Sequence, residues 1–145
     1  MPVYFCTAAE GRLTQDQKGE IAEAITKIYN EETGAPRYLV QVIFNEITPG
    51  NHFISGQVGS ADQIWVRCDT RSGKTEAERN AMMRRILKDV ATVLGTEQDK
   101  VAVLLSETHY SNITEFGHIA PAPGDEGAWF SSLPDSLQQR IKALA

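Results

Sequence analysis

The sequence predicts an α+β fold. Two fused β-α-β units share one four-stranded mixed sheet with two helices on one face, and short hairpins and a C-terminal helix are added. Three observations lead there. Shifting the 145-residue chain by 61 positions aligns residues 14–46 with 75–107 without a gap. Seven of those 33 pairs are identical, namely Thr14/Thr75, Ile25/Ile86, Lys27/Lys88, Gly34/Gly95, Val40/Val101, Val42/Val103 and Glu46/Glu107, where average composition gives about two. Each copy also runs in the same order, from an apolar strand-like segment through a polar turn and a helix-periodic stretch to a second apolar segment. A crossover of that length implies parallel strands and a right-handed connection. Residues 1–145 therefore read as a single domain, with repeats at about 2–46 and 63–107 and an extension over 108–145.

The first strands are Val3–Thr7 and Ile64–Cys68, apolar and aromatic runs. Polar turns follow, with Gly11-Arg12 in one copy and Ser72-Gly73-Lys74 in the other. Thr14 and Thr75 are N-caps, and Gln17 and Glu78 stand three residues on, where a capping box needs them. Ile21, Ala24, Ile25, Ile28 and Tyr29 recur at helical spacing, as do Met82, Met83, Ile86, Leu87, Val90 and Leu94. Gly34 and Gly95 stop the helices. The second strands are Tyr38–Phe44 and Val101–Leu105. With both helices on one face, the other sheet face is apolar and bare, which predicts packing against further copies of the chain. Asn45–Gln63, with Pro49, Gly50, Gly56 and Gly59, reads as a loop with a short hairpin. His109–Gly127 is turn-rich. Leu133–Leu144 has Pro134 near its start and Leu137, Ile141 and Leu144 at helical spacing, which predicts a short amphipathic helix.

Composition removes several classes of function. Fourteen Lys and Arg against 19 Asp and Glu leave a net charge of −5, the wrong sign for a dedicated nucleic-acid binder. No apolar run approaches the ~20 residues of a membrane helix, and Met1-Pro2-Val3-Tyr4-Phe5-Cys6 is not a secretory signal. Cys6 and Cys68 form neither a disulfide framework nor a zinc spacing. They read as buried thiols in a reducing cytosol, so a cytoplasmic location is expected. The histidines, His52, His109 and His118, show no metal spacing, and no metal or cofactor is expected.

Three features can carry chemistry. Pro2 follows the initiator Met, whose removal leaves a prolyl amine with an unperturbed pKa of about 8. Such an amine at the start of a strand can act as general base or acid near neutral pH. Residues 67–88 hold seven of the 14 cationic side chains, Arg67, Arg71, Lys74, Arg79, Arg84, Arg85 and Lys88. Arg71 and Lys74 are placed in the turn before the second N-cap, where two cations and a helix N-terminus suit an anionic ligand. Arg12 occupies the equivalent turn of the first copy. Glu107, Glu115, Asp125 and Glu126 form a late set of carboxylates. Glu115, among Ile113, Phe116 and Gly117, is the one expected to be partly buried, with its pKa raised.

These residues resemble the tautomerase superfamily. Pro2, Glu10-Gly11-Arg12 and Thr14-Gln15-Asp16-Gln17-Lys18 are similar to the opening of its 4-oxalocrotonate tautomerase subgroup. Across residues 2–135 the chain is more similar to the double-length cis-3-chloroacrylic acid dehalogenase group. Arg12-Leu13-Thr14, Ala24-Ile25-Thr26, Gln41-Val42-Ile43-Phe44, Pro49-Gly50-Asn51, Glu115-Phe116-Gly117 and the run Pro121 to Phe130 carry that likeness. The resemblance implies that Pro2 is the catalytic proline, Arg71 a substrate-carboxylate arginine and Glu115 the carboxylate that activates water. It also implies three departures. The helix-one histidine falls on Tyr29, the second carboxylate arginine on Lys74, and a water-positioning tyrosine on Leu104, which can neither donate nor accept a hydrogen bond.

The expectation is a cofactor-independent tautomerase acting on a small 2-oxo acid, with weak 3-haloacrylate hydrolysis beside it. Pro2 moves the proton, Arg71 and Lys74, with Arg12, hold the carboxylate, and Glu115 and Tyr29 assist. Aligning Pro2 with the internal Ile64 leaves one proline site per chain. The resemblance further implies a homotrimer with the bare sheets facing inward. The alternatives are a haloacrylate dehalogenase or hydratase, and a non-catalytic trimeric anion-binding module if Met1 is retained.

Overall fold

The computed structural model describes residues 2–144. Strand β1 (Val3–Ala9) leads into helix α1 (Gln15–Thr33), and β2 (Gln41–Ile47) returns parallel to β1. A hairpin, β3 (Phe53–Ile54) and β4 (Gln57–Val58), precedes β5 (Ile64–Arg71), α2 (Glu76–Leu94) and the parallel β6 (Val101–Thr108). A second hairpin, β7 (Thr114–Glu115) and β8 (His118–Ile119), is followed by α3 (Glu126–Ser132) and α4 (Asp135–Lys142). The sheet order is β2-β1-β5-β6, with β1 and β5 antiparallel at its centre. The expected mixed sheet results: two parallel pairs joined antiparallel.

Both helices start as their sequences dictate. Thr14 Oγ1 accepts from Gln17 N at 3.1 Å while Gln17 Oε1 accepts from Thr14 N at 3.0 Å. Thr75 and Glu78 repeat the exchange. Each helix ends on a left-handed glycine, Gly34 at φ 69° and Gly95 at φ 60°. Ile21, Ile25, Ile28 and Tyr29 of α1 and Met82, Ile86 and Val90 of α2 are buried on the sheet against Tyr4, Cys6, Val66 and Cys68. Burying side chains of this size contributes roughly 1.5–3 kcal/mol each before chain entropy is subtracted.

Alternation along the strands leaves the far sheet face uncovered. Ile43, Trp65 and Leu104 there are 40%, 45% and 53% exposed.

The strand starts and ends differ from expectation. Tyr38 and Leu39 belong to a 3-10 turn, Arg37–Leu39, and β2 begins only at Gln41. Local apolar character reads as strand there, but Leu39 is buried from the turn. Strand β5 runs on to Arg71, so Arg71 is the last residue of a strand and not part of the following turn. Helix α3 has no counterpart in the expected elements. It is one short segment with Gly127 inside it and no side-chain cap. The 61-residue offset also continues past residue 107, since β3–β4 and β7–β8 stand in register. Their two-residue turns, Ser55-Gly56 and Phe116-Gly117, all have positive φ, as a type I′ hairpin requires. The hairpin at the start of the extension over 108–145 is thus the counterpart of the one that follows β2.

That extension forms a small second core. Leu133, Leu137 and Ile141 are buried with Tyr38, Phe116, Trp129 and Phe130 packed on them.

Candidate active site

The site grows from the C-terminal end of β5. Alternation turns Thr70 toward the helices and Arg71 toward the other face, where the segment before α3 covers it. Arg71 is 5% exposed. Its Nη1 donates to Pro121 O at 2.7 Å and its Nη2 to Glu126 Oε1 at 2.5 Å. Glu126 Oε2 accepts from Gly124 N at 2.9 Å. Burial acts to raise the Glu126 pKa, but the Arg71 hydrogen bond and charge, with the backbone amides, outweigh it and hold the carboxyl below its ordinary range.

Lys74 lies one turn of chain beyond Arg71. Its Nζ donates to Arg71 O at 3.1 Å and to Thr70 Oγ1 at 3.3 Å, and stands 5.6 Å from the centre of the Tyr29 ring. Burial is the main influence lowering the Lys74 pKa, and Arg71 adds to it while Glu107 and Glu78 oppose it. Tyr29 OH lies 3.2 Å from Thr70 Oγ1. Burial raises the Tyr29 pKa against the lowering effects of Thr70 and Arg71, so it remains a phenol near neutral pH. Tyr29, Arg71, Gly73, Lys74, Pro123 and Glu126 all line one cavity of about 230 Å³.

Pro2 is buried at the entrance to β1, and its carbonyl accepts from Gln41 N at 3.0 Å. The β1–β5 register pairs Val3 with Asp69, so Pro2 stands one step before the paired segment, level with Thr70, whose Oγ1 contacts both the Tyr29 oxygen and Lys74 Nζ; Pro2 itself is not among the residues that line the cavity. Met1, and with it the state of the Pro2 amine, lies outside the described residues. Glu115 is 1% exposed in β7, more deeply placed than expected. The next residue, Phe116, lines a surface cleft with Tyr38, Val40 and Gln41, which brings this hairpin to the Pro2 end of the sheet.

Within one chain Arg12 and Leu104 are not brought to this end. Because β1 and β5 are antiparallel, equivalent turns of the two copies lie at opposite ends of the sheet. Arg12 follows the far end of β1, whose span from Val3 to Ala9 alone is about 20 Å at ~3.4 Å per residue. Leu104 pairs with Arg67, four residues short of Arg71, on the bare face. Two contributors were not singled out by pattern. Thr70 joins Tyr29 to Lys74, and strand alternation beside Arg71 is the signal that could have located it. Glu126 stood among the late carboxylates with nothing in its spacing to pair it with Arg71. Of the remaining cations, Arg79 pairs with Glu107, and Arg85 with Glu31 and Glu32. Among the described residues no group of three His, Cys, Asp or Glu side chains could hold a metal ion. No helix among them is long and apolar enough to cross a membrane.

The family model described as "Putative oxalocrotonate tautomerase enzyme" matches residues 1–132. The chain belongs to this tautomerase family. A "Probable tautomerase" of Streptococcus pneumoniae is 36% identical over 58 residues, which is 40% of this chain and 95% of that protein. Nearly the whole of that relative thus matches less than half of this chain. The crystal structure of N1, a member of the cis-3-chloroacrylic acid dehalogenase family, is similar over 97% of this chain and 99% of its own, with TM-score 0.93 and 34% identity. A fused 4-OT described as an asymmetric trimer shares the fold at TM-score 0.75 and 18% identity, over 84% of this chain and 98% of that one.

Proposed function

We propose that this protein is a cofactor-independent tautomerase that converts the enol of a small 2-oxo acid to its keto form. The observation that carries the reading is the single cavity lined by Arg71, Lys74 and Tyr29, beside the Pro2 end of β1. The substrate carboxylate meets Lys74 and the Arg71 donors that Glu126 and Pro121 leave over. The Pro2 amine, exposed by removal of Met1, takes the enol proton and delivers it to C3. The cations stabilise the charge that develops on the oxygen. Tyr29 and Glu115 act as further proton donors or orienting groups. Free buried cysteines suit a reducing cytoplasm. The exposed Ile43, Trp65 and Leu104 suit a homotrimer whose sheets face inward, and in such an assembly Arg12 and Leu104 can reach a neighbour's site.

The test is the enol-to-keto rate of purified protein and of Pro2→Ala. A large loss in the variant is expected, and equal rates sink Pro2 as the base. A second reading, hydrolytic dehalogenation of cis-3-haloacrylate, draws on the buried Glu115 and on the similarity to N1. Halide release measured on the same samples separates the two. The remaining alternative, a non-catalytic anion-binding module, requires retained Met1, and intact mass of the protein from its native host decides it.

A further inference from the structure

We propose that Lys74 is a second reactive amine of this cavity, one that condenses with the C2 carbonyl of 2-oxo acids to form an imine. The inference rests on the reading of the cavity as a carboxylate pocket, but not on Pro2 or on the fate of Met1. Lys74 lines the cavity together with Arg71. Its two hydrogen-bond partners, Thr70 Oγ1 and Arg71 O, are neutral oxygens. A lysine that only held charge at a protein surface would gain by pairing with a carboxylate, as Lys18 does with Glu46. Here a guanidinium and a phenol ring stand beside it, and the carboxylates of Glu107 and Glu78 act on its charge without supplying either of those two hydrogen bonds. Burial first, and Arg71 next, favour the uncharged amine against the pull of Glu107 and Glu78, and only the uncharged amine is a nucleophile. Arginine at this position would hold a carboxylate with a bidentate fork and could not act in this way.

The step balances without a further reactant. The Nζ lone pair adds to C2, and the proton that nitrogen sheds passes to the former carbonyl oxygen. That oxygen leaves as water after taking a second proton from solvent, and the product is a protonated imine. Thr70 Oγ1, in contact with both Nζ and the Tyr29 oxygen, is placed to relay the proton. The protonated imine withdraws electrons from C3, whose proton becomes exchangeable. Arg71 holds the carboxylate while the bond forms. The activity added is therefore amine-catalysed proton exchange at C3 of keto acids, in a chain whose first amine is assigned to enols.

The experiment is reductive trapping. Wild-type protein, Pro2→Ala and Lys74→Arg are incubated with pyruvate and borohydride near neutral pH, then digested and mapped by mass. The expected result is one reduced pyruvyl group on the peptide containing Lys74, formed faster than on any of the other five lysines. It is retained in Pro2→Ala and absent in Lys74→Arg. Acetone, which has no carboxylate, labels Lys74 more slowly than pyruvate. Label confined to the chain terminus, label spread evenly over the lysines, or no label overturns the proposal. The wild-type map is decisive even if a variant fails to fold. The enol-to-keto rate of Pro2→Ala tests Pro2 separately, so the two failures are distinguishable.

Discussion

The Arg71–Glu126 pair is the contact on which the shape of the cavity depends, and Glu126→Gln is the substitution that tests it. Arg71 is 5% exposed and the Glu126 side chain 14%, with nitrogen and oxygen 2.5 Å apart. Removing one partner of a buried pair leaves the other charge uncompensated, at a cost of roughly 3–5 kcal/mol. Glu126 retains some contact with water, so the lower end applies, about 3 kcal/mol. For a chain of this length that is a fall in Tm of about 10 °C. The assay is thermal or urea unfolding at fixed protein concentration, followed by tryptophan fluorescence from Trp65 and Trp129. The acid limb adds a sign. The Glu126 pKa is depressed in the fold from its ordinary 4.5, so its contribution is fully present above that value and is lost as pH falls through the depressed one. The gap between wild type and variant should therefore close on acidification. The variant also releases Arg71, so saturating pyruvate should recover more stability in Glu126→Gln than in wild type. A stability change within ~0.5 kcal/mol near neutral pH, typical of a surface substitution, would refute the reasoning.

Three other outcomes are expected of the same structure. Placing charge on the bare face with Trp65→Glu and Leu104→Glu should convert a trimer to monomers by analytical ultracentrifugation, and a monomeric wild type would remove the basis for an inward-facing sheet. Cys6 and Cys68 are fully buried, with burial pushing their thiols up to about 12 and about 11, so both should resist a thiol reagent until the protein is unfolded; rapid labelling of the native state would contradict this. Thr75→Ala removes the side-chain half of a capping box, the bond from Glu78 N to Thr75 Oγ1, and leaves the backbone N–H of position 75 on Glu78; it should lower stability by ~1 kcal/mol in urea unfolding, with an unchanged midpoint as the contrary result.

Much of the scaffold was legible because it is set locally. A threonine followed three residues later by Gln17 or Glu78 specifies a helix start by hydrogen bonds that span four residues. Gly34 and Gly95 specify the ends by a backbone conformation other residues resist. Ile21, Ile25 and Ile28 mark the buried face because a helix repeats every 3.6 residues. Tyr38 and Leu39 misled for the converse reason. Their apolar character is compatible with a strand, but Leu39 is buried from a 3-10 turn, which a local pattern does not report. Helix α3, short and interrupted by Gly127, has too little periodicity to be read at all.

The site divides along the same line. Tyr29, Arg71 and Lys74 were named from the chain and stand around one cavity, because each sits at a defined place in a repeated unit. The partner of Arg71 was not, since Glu126 is 55 residues away and reaches it only when the extension folds back over the end of β5. Arg12 was grouped with them by the repeat, and the antiparallel β1–β5 junction sends it to the other end.

The sequence by itself therefore determined the repeat, the helices with their caps and stops, the choice of core faces and the main candidate residues, all through interactions within a turn or a strand. Tertiary structure alone decided which end of the sheet each candidate occupies, that Glu126 neutralises Arg71, and that Thr70 links Tyr29 to Lys74. Those contacts join segments tens of residues apart, and their geometry exists only once the two units share a sheet and the C-terminal segment closes over its edge.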